Sequence, residues 1–313
     1  MRSLTLFALI SLLIGSSGVA FAPPQEGRGE GQYTIGVDVD LAVFNLTVTD
    51  GKGRHVTGLK TGDFHVYEDN RLQDIKLFIA EDVPATVGLI IDNSGSMRPK
   101  RADVVQAALA FAGASNSEDE MFVVNFNEKV YLGLPSAIRF TNDADQIRSA
   151  LLGMDPAGLT ALYDAMAVGL DYLKTGTRER KALVVLSDGG DNASRRRLDD
   201  VLHIAQRSSA TIYTIGIYDD SDQDRNPKVL RKIAESSGGR AYFPDTLKDL
   251  DQVWRDIAGG IRSQYTIGYH SSNSNRDGTY RKVKIIAGRN GGQGLRVTTR
   301  DGYLAPSDKP ASR

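Results

Sequence analysis

The 313-residue chain contains no cysteine. Disulfides, thiolate zinc sites and cysteine nucleophiles are excluded on that ground, and a chain of this length needs no covalent staple to hold a core. Histidine is scarce: His55, His65, His203 and His270 lie far apart and none forms an HxxxH-like pair, which speaks against hydrolytic zinc. Charge of one sign is also missing. The 38 Lys and Arg against 39 Asp and Glu leave a formal net charge of -1, so no basic excess is present to meet a nucleic acid. Neither a lysine-serine phosphate loop nor a GxGxxG run follows any strand-like stretch. No apolar run is long enough to be read as a membrane span in the mature chain, and no internal repeat is visible.

What is present begins with an export signal. Met1-Arg2 supplies a positive charge, residues 4–14 are apolar, and residues 16–22 are small and weakly polar. That layout predicts a secretory signal peptide over 1–22 and an exported, periplasmic or extracellular protein. The apolar run is too short to span a bilayer comfortably. Residues 23–32, PPQEGRGEGQ, read as a flexible leader. From 33 to 83 the pattern is β, with Ala42, Phe44, Leu46 and Val48 alternating with more polar neighbours. From 84 to 263 strands and helices alternate, and nearly continuous apolar strands such as Leu89-Ile90-Ile91 and Leu183-Val184-Val185-Leu186 predict a doubly wound, mostly parallel sheet covered on both faces. Residues 264–305 return to β, with a Gly-rich hairpin tip at 289–294 and a tail at 306–313. Each β flank is too small to stand alone. The two are expected to pair into one accessory region or to sit side by side on the α/β core.

The stretch that organises the chain is Val87-Gly88-Leu89-Ile90-Ile91-Asp92-Asn93-Ser94-Gly95-Ser96-Met97. A buried strand ends in three oxygen-bearing side chains at alternate positions, and hard divalent cations take oxygen ligands of this kind. Functional loops of open parallel sheets gather at the carboxyl ends of the strands, and two more oxygen-bearing loops fall there. Thr160 stands where an N-cap belongs, ahead of Ala161-Leu162-Tyr163-Asp164, and Asp188 directly follows the strand that ends at Ser187. Taken singly, Thr160 reads as a helix cap and Asp188-Gly189 as a turn. Together with Asp92, Ser94 and Ser96 they predict a metal site.

Asp-x-Ser-x-Ser, a Thr in the next loop and an Asp after a later strand resemble the metal-ion-dependent adhesion site of von Willebrand factor type A domains. Here the elements read Asp92-Asn93-Ser94-Gly95-Ser96, Thr160 in GLTALYDA and Asp188 in VVLSDGGDN. The resemblance covers about 84–263, and the flanks look like those of an exported bacterial subgroup. It implies a Rossmann-like core that binds Mg²⁺, Mn²⁺ or Ca²⁺. It further implies that Ser94, Ser96 and Thr160 bind directly, that Asp92 and Asp188 act partly through water, and that a protein ligand's carboxylate fills the open position. Asp191 reads as a turn-stabilising acid that could also serve as an outer acceptor.

Other readings fit less well. A phosphatase of the haloacid dehalogenase type needs a second Asp where this chain has Ser94. Ser94 or Ser96 as a nucleophile needs a histidine base, and none is placed by pattern at the strand tips. The chain is therefore expected to have no catalytic residue. Arg195-Arg196-Arg197 reads as a solvated helix start that could rim the site. Trp254, at helical spacing with Leu250 and Ile257, reads as core.

Overall fold

A computed structural model of the protein describes residues 41–80, 82–218, 225–288 and 294–307. The expected signal peptide and leader, residues 33–40 of the first β segment and the hairpin tip at 289–293 lie outside the described residues. The chain opens with β1 (Leu41–Thr49), β2 (Phe64–Glu68), β3 (Arg71–Gln73) and β4 (Ile75–Ile79). The alternating region follows as β5 (Ala85–Asp92), α1 (Arg101–Ala114), β6 (Glu120–Phe126), β7 (Val130–Leu132), α2 (Ala144–Leu152) and α3 (Leu162–Leu173). It continues with β8 (Arg180–Ser187), α4 (Leu198–Arg207), β9 (Thr211–Gly216), α5 (Pro227–Ser236), β10 (Ala241–Tyr242) and α6 (Leu250–Arg262). The last strands are β11 (Tyr265–His270), β12 (Tyr280–Ala287), β13 (Arg296–Thr298) and β14 (Gly302–Leu304). Among the described residues, no helix is long and apolar enough to cross a membrane.

The α/β region carries a six-stranded sheet in the order β10-β9-β8-β5-β6-β7, parallel except for β7 at one edge. Every residue of β5 is buried, as expected of a strand covered on both faces. Gly88 allows that crowding: a Cβ there would lie 2.4 Å from the Phe122 ring and 2.6 Å from Leu183. On one face α1 packs against α6, with the Phe111 and Trp254 rings 5.0 Å apart, and Trp254 is fully buried as the sequence predicts. The chain leaves β5 in one direction to β6 and reaches β8 on its other side. β5 is thus the switch point, and the loops after β5 and β8 are neighbours.

Two helices start later than the loops before them suggest, for local reasons. The segment after β5 first forms a 3-10 turn over Gly95–Lys100 containing Pro99, and α1 begins only at Arg101. The Arg triplet is non-helical: the backbone N–H groups of Arg195 and Arg196 donate to the Asp164 carboxylate, so α4 starts at Leu198.

The β flanks interleave. One sheet has the order β13-β1-β11-β4 and the other β14-β12-β2-β3, each taking strands from both ends of the chain. A second apolar core joins them, with Phe44, Leu46, Phe64, Val66, Tyr265, Ile267, Val283 and Ile285 all buried. Arg300 ties this region to the α/β region. Its guanidinium lies 4.7 Å over the Phe44 ring and donates to Val43 O and, at the end of α4, to Gln206 O and Ser208 O.

Candidate metal centre

Parallel pairing of β5 with β8 sets Ile91 opposite Leu186, which brings Asp92 and Ser187 together at adjacent strand tips. The Ser187 hydroxyl donates to Asp92 Oδ2 at 2.6 Å, and the backbone N–H of Ser94 donates to Asp92 Oδ1 at 2.8 Å. Both carboxylate oxygens are thereby oriented. The Ser94 and Ser96 hydroxyls lie 3.1 Å apart, and Ser96 Oγ donates to Asp188 Oδ2 at 2.6 Å. Four of the five expected side chains therefore form one chain of contacts across two loops.

Thr160 is held beside them by its backbone. Its N–H donates to Asn192 Oδ1 at 2.9 Å, and its carbonyl accepts from the N–H groups of Asn192 and Ala193, both at 3.0 Å. The loop before it is stitched to the first loop by Gly95 N–H to Gly158 O at 3.2 Å and Ala157 N–H to Asn93 O at 2.9 Å. Thr160 is not the cap of the next helix. The N-cap is Ala161, and the first turn of α3 is satisfied by Asp191 Oδ2, which accepts from Tyr163 N–H, and by Ser194 Oγ, which accepts from Asp164 N–H. Capping thus makes no claim on the Thr160 hydroxyl, and Asp191 serves as a turn-and-cap acid.

Asp92 is 2% exposed, and burial together with the nearby Asp188 charge pushes its carboxyl up to about 6 against the opposing bonds from Ser187 and Ser94. Two acids and two hydroxyls have been gathered where like charges repel, an arrangement that a cation relieves. Among the described residues no group of three or more His, Asp and Glu converges to hold a metal. With Thr160 counted, the candidate donors at the strand tips are instead three hydroxyls and two carboxylates, all oxygen, which suits a hard, oxygen-seeking ion and disfavours zinc of the hydrolytic type.

Several supporting residues carry no motif of their own. Ser187 is fully buried, and its only signal in the sequence is a hydroxyl closing an apolar strand next to Asp188. Asn93 donates to Ile91 O and Asn125 Oδ1, and Asn125 donates to Ala150 O, a relay that anchors the first loop to β6 and α2. Asn192 joins the Asp188 loop to Thr160.

Residues 87–190 match the family model of the von Willebrand factor type A domain. An uncharacterized protein of Borreliella burgdorferi is 25% identical over 134 residues, covering 42% of this chain and 39% of that protein. A UPF0353 protein of Mycobacterium marinum is 26% identical over 215 residues, covering 60% and 62% respectively. The chain thus spans less than two thirds of the length of these curated relatives. Among solved structures, a von Willebrand factor type A protein from Catenulispora acidiphila superposes with a TM-score of 0.51 at 16% identity, over 86% of this chain and 74% of that one. At that identity the likeness is one of fold.

Proposed function

We propose that this chain, whose residues 87–190 match the von Willebrand factor type A domain, binds one divalent cation (Mg²⁺, Mn²⁺ or Ca²⁺) through Asp92, Ser94, Ser96, Thr160 and Asp188, and uses it to dock a carboxylate of a protein ligand. The observation that carries the reading is the contact chain from Asp92 and Ser187 through Ser94 and Ser96 to Asp188. Ser94, Ser96 and Thr160 would bind directly. Asp92 and Asp188 would supply charge, partly through water, held in place by Ser187 and by Ser96. When bound, the cation would offer a Lewis-acidic position to an anionic oxygen from outside. We further propose that the chain is exported and that the site docks and does not catalyse. Among the described residues no histidine is engaged at the strand tips, and Asp188, which accepts from the Ser96 hydroxyl, is in this reading committed to the cation.

The loops are already joined by bonds of their own, Gly95 to Gly158, Asn93 to Ala157 and Thr160 to Asn192. That favours docking over a purely structural role for the cation. The test is a calorimetric titration with Mg²⁺ or Mn²⁺ of wild type and Asp92→Ala, followed by EDTA-sensitive capture of a partner. Equal metal affinity in both proteins would remove the site assignment.

A further inference from the structure

The ridge 156–160 runs alongside the first metal loop, and its two ends differ in chemistry. At one end the exposed Arg98 donates from Nε and Nη2 to Pro156 O, at 3.3 and 3.1 Å. The carbonyl contact fixes the plane of the guanidinium across the seam between the two loops. No carboxylate among the described residues pairs with it, so its charge is unspent. At the other end Leu159, next to Thr160, is 53% exposed. Its backbone N–H donates to Glu128 Oε2 at 3.1 Å. Gly158 makes that turn possible: its φ is +77°, and a Cβ there would lie 1.7 Å from Glu128 Oε2.

The geometry points to a polarised docking face, an inference that rests on the metal reading above. The ligand is an extended acidic peptide with one carboxylate on the cation, a second acidic group toward Arg98 and an apolar side chain on Leu159. Charge decides the orientation. Arg98 attracts the second acid, while the Glu128 carboxylate repels one placed at the Leu159 end and leaves that end to an apolar group. Pro156 and Leu159 are three residues apart, a span of at most about 10 Å, so a ligand of five to seven extended residues reaches both ends.

Fluorescein-labelled Gly-Asp-Gly-Glu-Gly-Leu-Gly and its reverse, Gly-Leu-Gly-Glu-Gly-Asp-Gly, test the inference by anisotropy in Mg²⁺ and in EDTA. Controls replace the peptide Asp by Asn or the peptide Leu by Ser. One of the two orders should bind in Mg²⁺ only. Arg98→Gln, which keeps a donor for Pro156 O, should weaken it about tenfold and leave the Asn control unchanged. Leu159→Ser should weaken it about fivefold and leave the Ser control unchanged. Mg²⁺ affinity, measured by calorimetry without peptide, should be the same in both variants and wild type. Mg²⁺ binding with no capture of either peptide, or an Arg98→Gln loss that is equal for the Asn control, overturns the polarised face and leaves the metal reading standing. Failure of wild type to bind Mg²⁺ overturns the metal reading, and this inference with it.

Discussion

Ser187 Oγ donates to Asp92 Oδ2 at 2.6 Å, linking the tips of the two central parallel strands. The bond does two things at once. It orients the carboxylate toward the Ser94–Ser96 loop, and it favours the ionised form of an acid whose burial favours the neutral one. Ser187→Ala should therefore lower Mg²⁺ affinity by about tenfold, the scale of losing an outer-shell partner. Calorimetric titration checks it, and an unchanged affinity would make Ser187 a packing residue only.

Gly158→Ala meets a left-handed backbone and, second, the tip of the Glu128 side chain, which must swing away and give up its bond from Leu159 N–H. The substitution should destabilise the fold by about 1–3 kcal/mol. Glu128→Ala in the same chain should recover the share due to the clash and leave the share due to φ. Urea unfolding of the four proteins in this cycle separates the two.

His55 is half-buried where the β region meets α6, beside Gly260, and among the described residues its Nδ1 has no hydrogen-bond partner. Burial foremost, and then the Arg240 charge, hold its imidazolium pKa below the usual value. The unfolded chain thus takes up this proton first, and stability is lost as pH falls below about 6.5. His55→Asn should remove that component. The difference in unfolding free energy between wild type and variant should shrink as pH is lowered from 7.5 to 5.5. A difference that does not vary with pH would exclude the effect.

Arg300 supplies hydrogen bonds to three backbone carbonyls on two sides of the junction and stacks on Phe44. Arg300→Ala leaves those carbonyls without a donor and opens the space over the ring. A loss of about 2–4 kcal/mol is expected, with earlier protease cleavage near the junction. Limited proteolysis and thermal unfolding would register it.

Adding 10 mM Mg²⁺ should raise the melting temperature of wild type and leave that of Asp92→Ala unmoved, since only a state that binds the ion is stabilised by it. Differential scanning calorimetry with and without EDTA provides the comparison.

The α/β region was legible because its signals are local. Strands buried on both faces, such as β5 and β8, carry long apolar runs, and the acid at the end of β5 and the one just after β8 stand at carboxyl tips by rule of topology. The ligand candidates Asp92, Ser94, Ser96 and Asp188 follow from position along those strands. The role of Ser187 did not follow, because a lone serine before an acid has no spacing that distinguishes it. Nor did the exact cap of α3: Asp191 and Ser194 reach it from a later loop, so no local pattern around Thr160 announces them. Pairing of the flanks was beyond local reading altogether. Alternation around Phe44 says that β1 has an inner face, but nothing near it says that its neighbours are β11 and β13.

That pairing has a consequence for the order of synthesis. Among the described strands, the sheet neighbours of β1 and β4 are all made after the α/β region, which the chain enters from β4 and leaves into β11. On a chain emerging from its N-terminus, β1 and β4 wait unpaired while the α/β region can already close its own sheet. Their edges are satisfied only once β11 and β13 arrive. A chain that stops after α6 would thus carry all the candidate metal ligands together with two orphan strands, and stickiness of such a fragment would come from the flank and leave the candidate site intact.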